Sequence, residues 1–219
     1  MTRERRLWLL AGAAALAAVI VGVAIAISQG GSDDEQEASS PPRVEALDQD
    51  GVHLGDPNAP ATLIEFADLQ CPFCAEFAND QLPGLIDEYV RDGRLRLELR
   101  LLAFLGPDSI RARQVAHAAA LQDQMWGFTD RFFRNQGPEN SGYATDDFLQ
   151  RLAQQTPGLD VDQLSQDFGN PRAEALTREA ERLGRRLDVG GTPSFYLARD
   201  GGEPEPIEID QLDEALAAE

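Results

Sequence analysis

The sequence predicts an α/β domain preceded by a single N-terminal transmembrane helix, and three stretches predict it. Residues 7–27, "LWLLAGAAALAAVIVGVAIAI", carry no charge. A strand-like run, "ATLIEFA", leads through a short turn into a helical pattern that opens at "CPFCAEF". Near the C-terminus, "SFYLA" and "PIEI" flank the turn "DGG" as two further strands, with a short helix expected from Asp210 to Ala218.

At ~1.5 Å of rise per residue, a helix over residues 7–27 matches a hydrocarbon core of ~30 Å. The competing reading is a cleaved signal peptide, with "AIA" at Ala24–Ala26 as its small-residue site; signal peptides usually carry a shorter apolar region of about 7–15 residues. Arg3, Arg5 and Arg6 place residues 1–6 in the cytoplasm, so the chain beyond the anchor lies on the extracytoplasmic side of the cell membrane. Residues 28–43 are small, acidic and end in prolines, with no apolar face to bury, and read as a flexible linker. Residues 44–219 are enough for one domain with a sizeable core.

The chain holds 38 acidic against 19 basic residues, a net charge of −19, and every basic residue is arginine. Such a surface repels phosphate backbones, so no nucleic-acid partner is expected.

Both cysteines, Cys71 and Cys74, lie in "FADLQCPFCAEF". Pro72 fits the first turn of a helix, where its missing N–H costs nothing. That puts Cys71 at the helix N-terminus, where unpaired N–H groups and the macrodipole favour a thiolate, the nucleophile of disulfide exchange. Cys74, one turn on, is within its reach and less exposed. A structural zinc site wants four ligands, and His53 and His117 are the only histidines beside this one pair, so no metal is expected. A structural disulfide over so short a loop constrains little. The pattern points to redox chemistry without a bound cofactor. The helix following is expected to be interrupted at Pro83, to carry Phe73, Phe77 and Ala78 on one side, and to stop at Gly93. In the strand before it, Leu63 and Glu65 share one face and Ile64 and Phe66 the other.

"EFADLQCPFC", taken with "GGTPSFYL" downstream, resembles the DsbA-like branch of the thioredoxin superfamily, and most of all its exported, membrane-anchored bacterial thiol–disulfide oxidoreductases. The similarity runs from about Val52 to the C-terminus. It implies a thioredoxin-like fold with a helical insertion, about residues 107–187, whose start resembles Ser109–Gln136 with Trp126, Phe128, Phe132 and Phe133 as an aromatic core. By the same resemblance, Cys71 is the attacking cysteine and Cys74 the resolving one. Pro193 is a cis-proline lying against the disulfide, and Thr192 pairs through its backbone with an extended substrate. Glu65 is a buried carboxylate that relays the Cys74 proton. Pro72 and Phe73 form the dipeptide between the cysteines; a strongly oxidising member of the family has histidine where Phe73 stands, so the thiolate here depends on the helix terminus and backbone.

The implied activity is the introduction of disulfides into exported proteins with free thiols, with a membrane quinone-linked partner reoxidising the pair. The alternatives are a reductase or isomerase of the same fold and, from another class, an anchored binding module with a structural disulfide. Elsewhere, Arg94–Phe104 alternates as a strand with Leu95, Leu97, Leu99 and Leu101 inward, and Thr145 is expected to cap a helix. The residues from Asn170 to Leu187 form an amphipathic helix with Ala173, Leu176, Ala180, Leu183 and Leu187 as its stripe.

Overall fold

Among the described residues, a sheet of six strands organises the fold: β1 (Gln49–Asp50), β2 (His53–Leu54), β3 (Ala61–Ala67), β4 (Leu95–Leu101), β5 (Ser194–Arg199) and β6 (Glu205–Pro206), ordered β1-β2-β4-β3-β5-β6. The computed structural model describes residue 44 and residues 46–217. The expected anchor at 7–27, its cytoplasmic flank and the linker lie outside the described residues. Among those described, no helix is long and apolar enough to cross a membrane.

Strand β3 is central, parallel to β4 and antiparallel to β5. Both of its faces are covered, as a central strand requires: Thr62, Ile64 and Phe66 lie on one and Ala61, Leu63, Glu65 and Ala67 on the other. Leu63 faces the larger core with Leu95, Leu97, Leu99 and Leu101, the leucine alternation expected of β4. Ile64 and Phe66 face a smaller cluster with Leu102, Ala180 and Tyr196, where the Phe66 and Tyr196 rings meet edge-on at 5.7 Å.

After β3 the chain enters α1 (Pro72–Glu76), a wide π turn at Phe77–Gln81, α2 (Leu82–Leu85) and a second π turn at Ile86–Val90. The break expected at Pro83 therefore takes the form of widened turns on either side of it. Leu82 N–H bonds five residues back to Phe77 O, and Arg91 N–H likewise to Ile86 O, so the helix absorbs a proline without ending. Gly93, at φ +70°, turns the chain into β4.

Between β4 and β5 stand five helices: α3 (Pro107–Ala120), α4 (Met125–Arg134), α5 (Asp146–Gln155), α6 (Val161–Asp167) and α7 (Pro171–Arg186). Trp126, Phe128, Phe132 and Phe133 are all buried in α4, and Trp126 Nε1 donates to Val52 O at 3.0 Å, fastening the helices to the sheet. Thr145 caps α5 by accepting from Phe148 N–H at 3.2 Å. In α7, Ala173 and Ala180 are buried while Leu176, Leu183 and Leu187 pack at the core's edge. His117 is buried in α3 with Nδ1 2.8 Å from Thr177 Oγ1, and burial holds its pKa down at about 3, so it is a neutral core residue.

The C-terminal expectation needs one correction. "PIEI" does not form a full strand: β6 is Glu205–Pro206, and Ile209–Gln211 already turns as a 3₁₀ segment into α8 (Leu212–Ala217). Pro206 has no N–H to extend the ladder, and the last bond to β5 runs from Ile207 N to Phe195 O at 3.0 Å.

Candidate active site

Cys71 is the N-cap of α1, with Pro72 in the first turn, and Cys74 lies inside that helix. Both are free thiols; Cys74 is fully buried and Cys71 is 4% exposed. The Cys71 Sγ lies 3.2 Å from Thr192 O, which brings together residues 121 positions apart in the chain. The Thr192–Pro193 bond is cis. Glu65 sits on β3 between Leu99 and Phe195, 5% exposed, with Oε1 buried and unpartnered. The alternation of β3 puts it on the larger-core face, on which Cys74 also lies. The structure thus gathers Glu65, Cys71, Cys74, Thr192 and Pro193 at the ends of β3 and β5. Phe73 is different: it shares a groove with Phe77 but is 66% exposed, so it stands beside the pair as an apolar surface and not in the core.

The electrostatics separate the two thiols. Cys71 is drawn down to about 6, first by the Cys74 thiol donating to its sulfur; burial opposes this, and the Thr192 hydroxyl and the N–H groups of Cys74 and Phe73 add to it. Cys74 is pushed up, by that same hydrogen bond to Cys71, by burial, and by the charge of Glu65. Burial, and then the Cys71 charge, push Glu65 up to about 8. At neutral pH the trio therefore holds a thiolate on Cys71, a thiol on Cys74 and a protonated Glu65. Among the described residues, no group of three or more His, Cys, Asp and Glu side chains is placed to hold a metal ion.

Three functional neighbours escape a reading of the sequence. Asp68 is fully buried, and its carboxylate accepts from Gln70 N, Ser109 Oγ, Phe104 N and Leu105 N at 2.6–3.0 Å. Gln70 donates to Leu105 O at 2.9 Å and to Ser109 Oγ at 3.1 Å, and accepts from Asn140 N at 2.7 Å. Gln136, past the end of α4, donates to Leu69 O and Cys71 O. An Asp two residues before a residue whose N–H it accepts is an Asx-turn signal, and "DLQC" carries it. No comparable local signal exists for Gln136.

A groove of about 400 Å³ opens beside the pair, lined by Phe73, Phe77, Pro193 and Phe195 with Glu76 and Glu208 at its rim.

The model of one protein family, described as Thioredoxin, matches residues 47–218. The chain belongs to the thioredoxin family. Within the family it is a DsbA-like thiol–disulfide oxidoreductase. A "Probable disulfide bond formation protein D" of Bacillus anthracis is 28% identical over 169 residues, 76% of this chain and 76% of that protein. Among solved structures, oxidised BdbD from Bacillus subtilis superposes with a TM-score of 0.67 at 22% identity, covering 78% of this thioredoxin-family chain and 95% of BdbD. A thioredoxin-like oxidoreductase from Silicibacter pomeroyi DSS-3 superposes with a TM-score of 0.62 at 28% identity, covering 82% and 96%.

Proposed function

We propose that this oxidoreductase introduces disulfides into exported proteins through a Cys71–Cys74 disulfide. The observation that carries the direction is the Cys71 thiol drawn down to about 6 at the N-terminus of α1. A stabilised thiolate stabilises the reduced enzyme, and an enzyme whose reduced form is stabilised is an oxidant. A substrate thiolate attacks Cys71 Sγ of the enzyme disulfide, forming the mixed disulfide and expelling the Cys74 thiolate. Protonated Glu65 supplies the proton that makes Cys74 a thiol. A second substrate thiolate attacks the substrate sulfur of the mixed disulfide and releases Cys71 as a thiolate. Two electrons have passed from the substrate dithiol to the pair, and a membrane quinone-linked partner removes them. Thr192 and Pro193 form the wall along which an extended substrate lies, and Phe73 is its apolar neighbour. Residues 7–27 hold the catalytic domain, residues 44–219, to the extracytoplasmic face of the cell membrane through the linker.

The test is the equilibrium reduction potential of the intact chain in glutathione buffers. A value at or above about −180 mV, that of protein disulfide isomerase, is expected; one near −270 mV, that of thioredoxin, would make the enzyme a reductase. No reversible exchange at all would return the pair to a structural disulfide on a binding module.

The charge of the groove yields a further expectation. Glu76, Glu208 and Asp210 at the groove form no ion pair with a described residue, and no arginine lines it. Reduced peptides with arginine beside the cysteine should react about tenfold faster than matched glutamate peptides at low salt, and the gap should close as salt screens the rim. Equal rates at low salt would remove the rim from substrate choice.

A further inference from the structure

Two residues beyond α4, Gln136 turns its amide back onto the loop that carries Cys71. Its Nε2 is 2.8 Å from Leu69 O and 3.1 Å from Cys71 O. The Cys71 carbonyl also accepts Ala75 N–H at 3.1 Å, the first bond of α1. Within the backbone, Cys71 N–H donates to Asp68 O at 2.9 Å. The bonds of the Asp68 and Ser109 side chains and of Asn140 N–H brace the same loop but stop at Gln70, whereas the side chain of Gln136 reaches the Cys71 backbone itself.

We propose that Gln136 is a positioning residue for the Cys71 thiolate, contributed by the helical insertion, which holds the loop so that the donors of α1 stay aimed at Cys71 Sγ. The inference rests on reading Cys71 as the attacking thiol. Two carbonyls pinned two residues apart fix the turn into the helix, and hence the angle at which the N–H groups of Phe73 and Cys74 meet the sulfur. Hydrogen bonds weaken steeply as that angle closes, so a small rotation of Cys71 costs the thiolate more than the thiol. The titratable groups facing Cys71 are Cys74 on its own helix and Glu65 from β3. Gln136 is neutral, so replacing it changes no charge at the site and acts through geometry alone.

Gln136 is half-buried and outside regular helix, so Gln136→Leu removes the donor with little threat to the fold. Gln136→Met, unbranched and without a donor, repeats the measurement should the leucine variant not fold. Gln122→Leu is the control, since it cuts a similar amide-to-carbonyl bond, to Asp160 O at 3.1 Å, in the insertion and away from Cys71. The Cys71 pKa is read from thiolate absorbance of the intact reduced protein, and its attack on oxidised glutathione is timed across pH. In Gln136→Leu the pKa should rise by about one pH unit, which makes attack about threefold slower at pH 5 and about threefold faster at pH 9, because a less acidic thiolate is scarcer but more nucleophilic. The control should leave both unchanged. An unmoved pKa and pH profile, whatever happens to thermal stability, would overturn the inference while leaving the reading of Cys71 intact. A wild-type Cys71 that ionises only near pH 9 would overturn both.

Discussion

A Cys71→Ser chain should catalyse no thiol–disulfide exchange, while a Cys74→Ser chain should react once and remain joined to its partner through Cys71. With its pKa at about 6, Cys71 is roughly nine-tenths thiolate at pH 7. A serine hydroxyl is not ionised there, and exchange should fall to the rate of the uncatalysed thiols. Cys74 stands deeper in α1, fully buried, and its pushed-up pKa keeps it a thiol until the mixed disulfide calls for a second nucleophile. Serine at 74 keeps a hydroxyl donor near the Cys71 sulfur, so the attacking thiolate survives and only its release is lost. Reduced Cys74→Ser protein, offered disulfide-bearing envelope proteins, should therefore shift on non-reducing gels into adducts that a reductant dissolves. The double variant should form none. Activity persisting in Cys71→Ser, or adducts forming equally through residue 74, would reverse the assignment of the two sulfurs. Because both side chains change by one atom in a packed site, neither outcome requires loss of the fold.

The strands and the cysteine helix were legible because their signals are local. The alternation of Leu95, Leu97, Leu99 and Leu101 sets one face of β4, and the period of two on β3 puts Glu65 on one face with Leu63, although its burial follows only from the family resemblance. Proline after Cys71 marks a helix start, so the N-cap position of Cys71 followed from three letters. The short β6 was misjudged because "PIEI" has strand-like residues but a proline where a ladder needs an N–H. The widened turns around Pro83 were not readable, since the sequence marks where a helix is disturbed but not how packing absorbs it. The approach of Thr192 to Cys71 came only from the likeness of the whole pattern to a family. Asp68, Gln70 and Gln136 stayed hidden for a related reason. Their meaning lies in partners 35 to 70 positions away, and a buried amide and a solvated one are spelled with the same letter.

Oxidised protein should lose stability steadily as pH rises above about 4.5, and Glu65→Gln should remove that slope. In the reduced protein Glu65 is pushed up from 4.5 to about 8, by burial and then by the Cys71 charge. The disulfide form lacks that charge but keeps the burial, so above 4.5 its folded state still holds a proton that the unfolded chain releases. Stability follows the difference in bound protons, unfolded minus folded, which is negative here; it is fully present below about 4.5 and drains away as pH rises through the folded value. Each pH unit in that window is worth about 1.4 kcal/mol, for a total of a few kcal/mol. In the reduced protein, Cys71 adds the opposite sign. Its folded value is about 6 against an ordinary 9, so its contribution grows as pH rises between them. The two slopes overlap between about 6 and 8 and nearly cancel, leaving reduced protein almost flat in that window. Alkaline pH should then favour the reduced form, making the enzyme a stronger oxidant relative to a dithiol free of such coupling. Urea unfolding of both redox forms at pH 5 and pH 8 reads this directly. Glu65→Gln, neutral at every pH and of the same size, should flatten the oxidised curve and gain on the wild type at pH 8. Parallel curves for oxidised wild type and Glu65→Gln would mean that Glu65 is ionised throughout, leaving the Cys74 thiolate without its proton source.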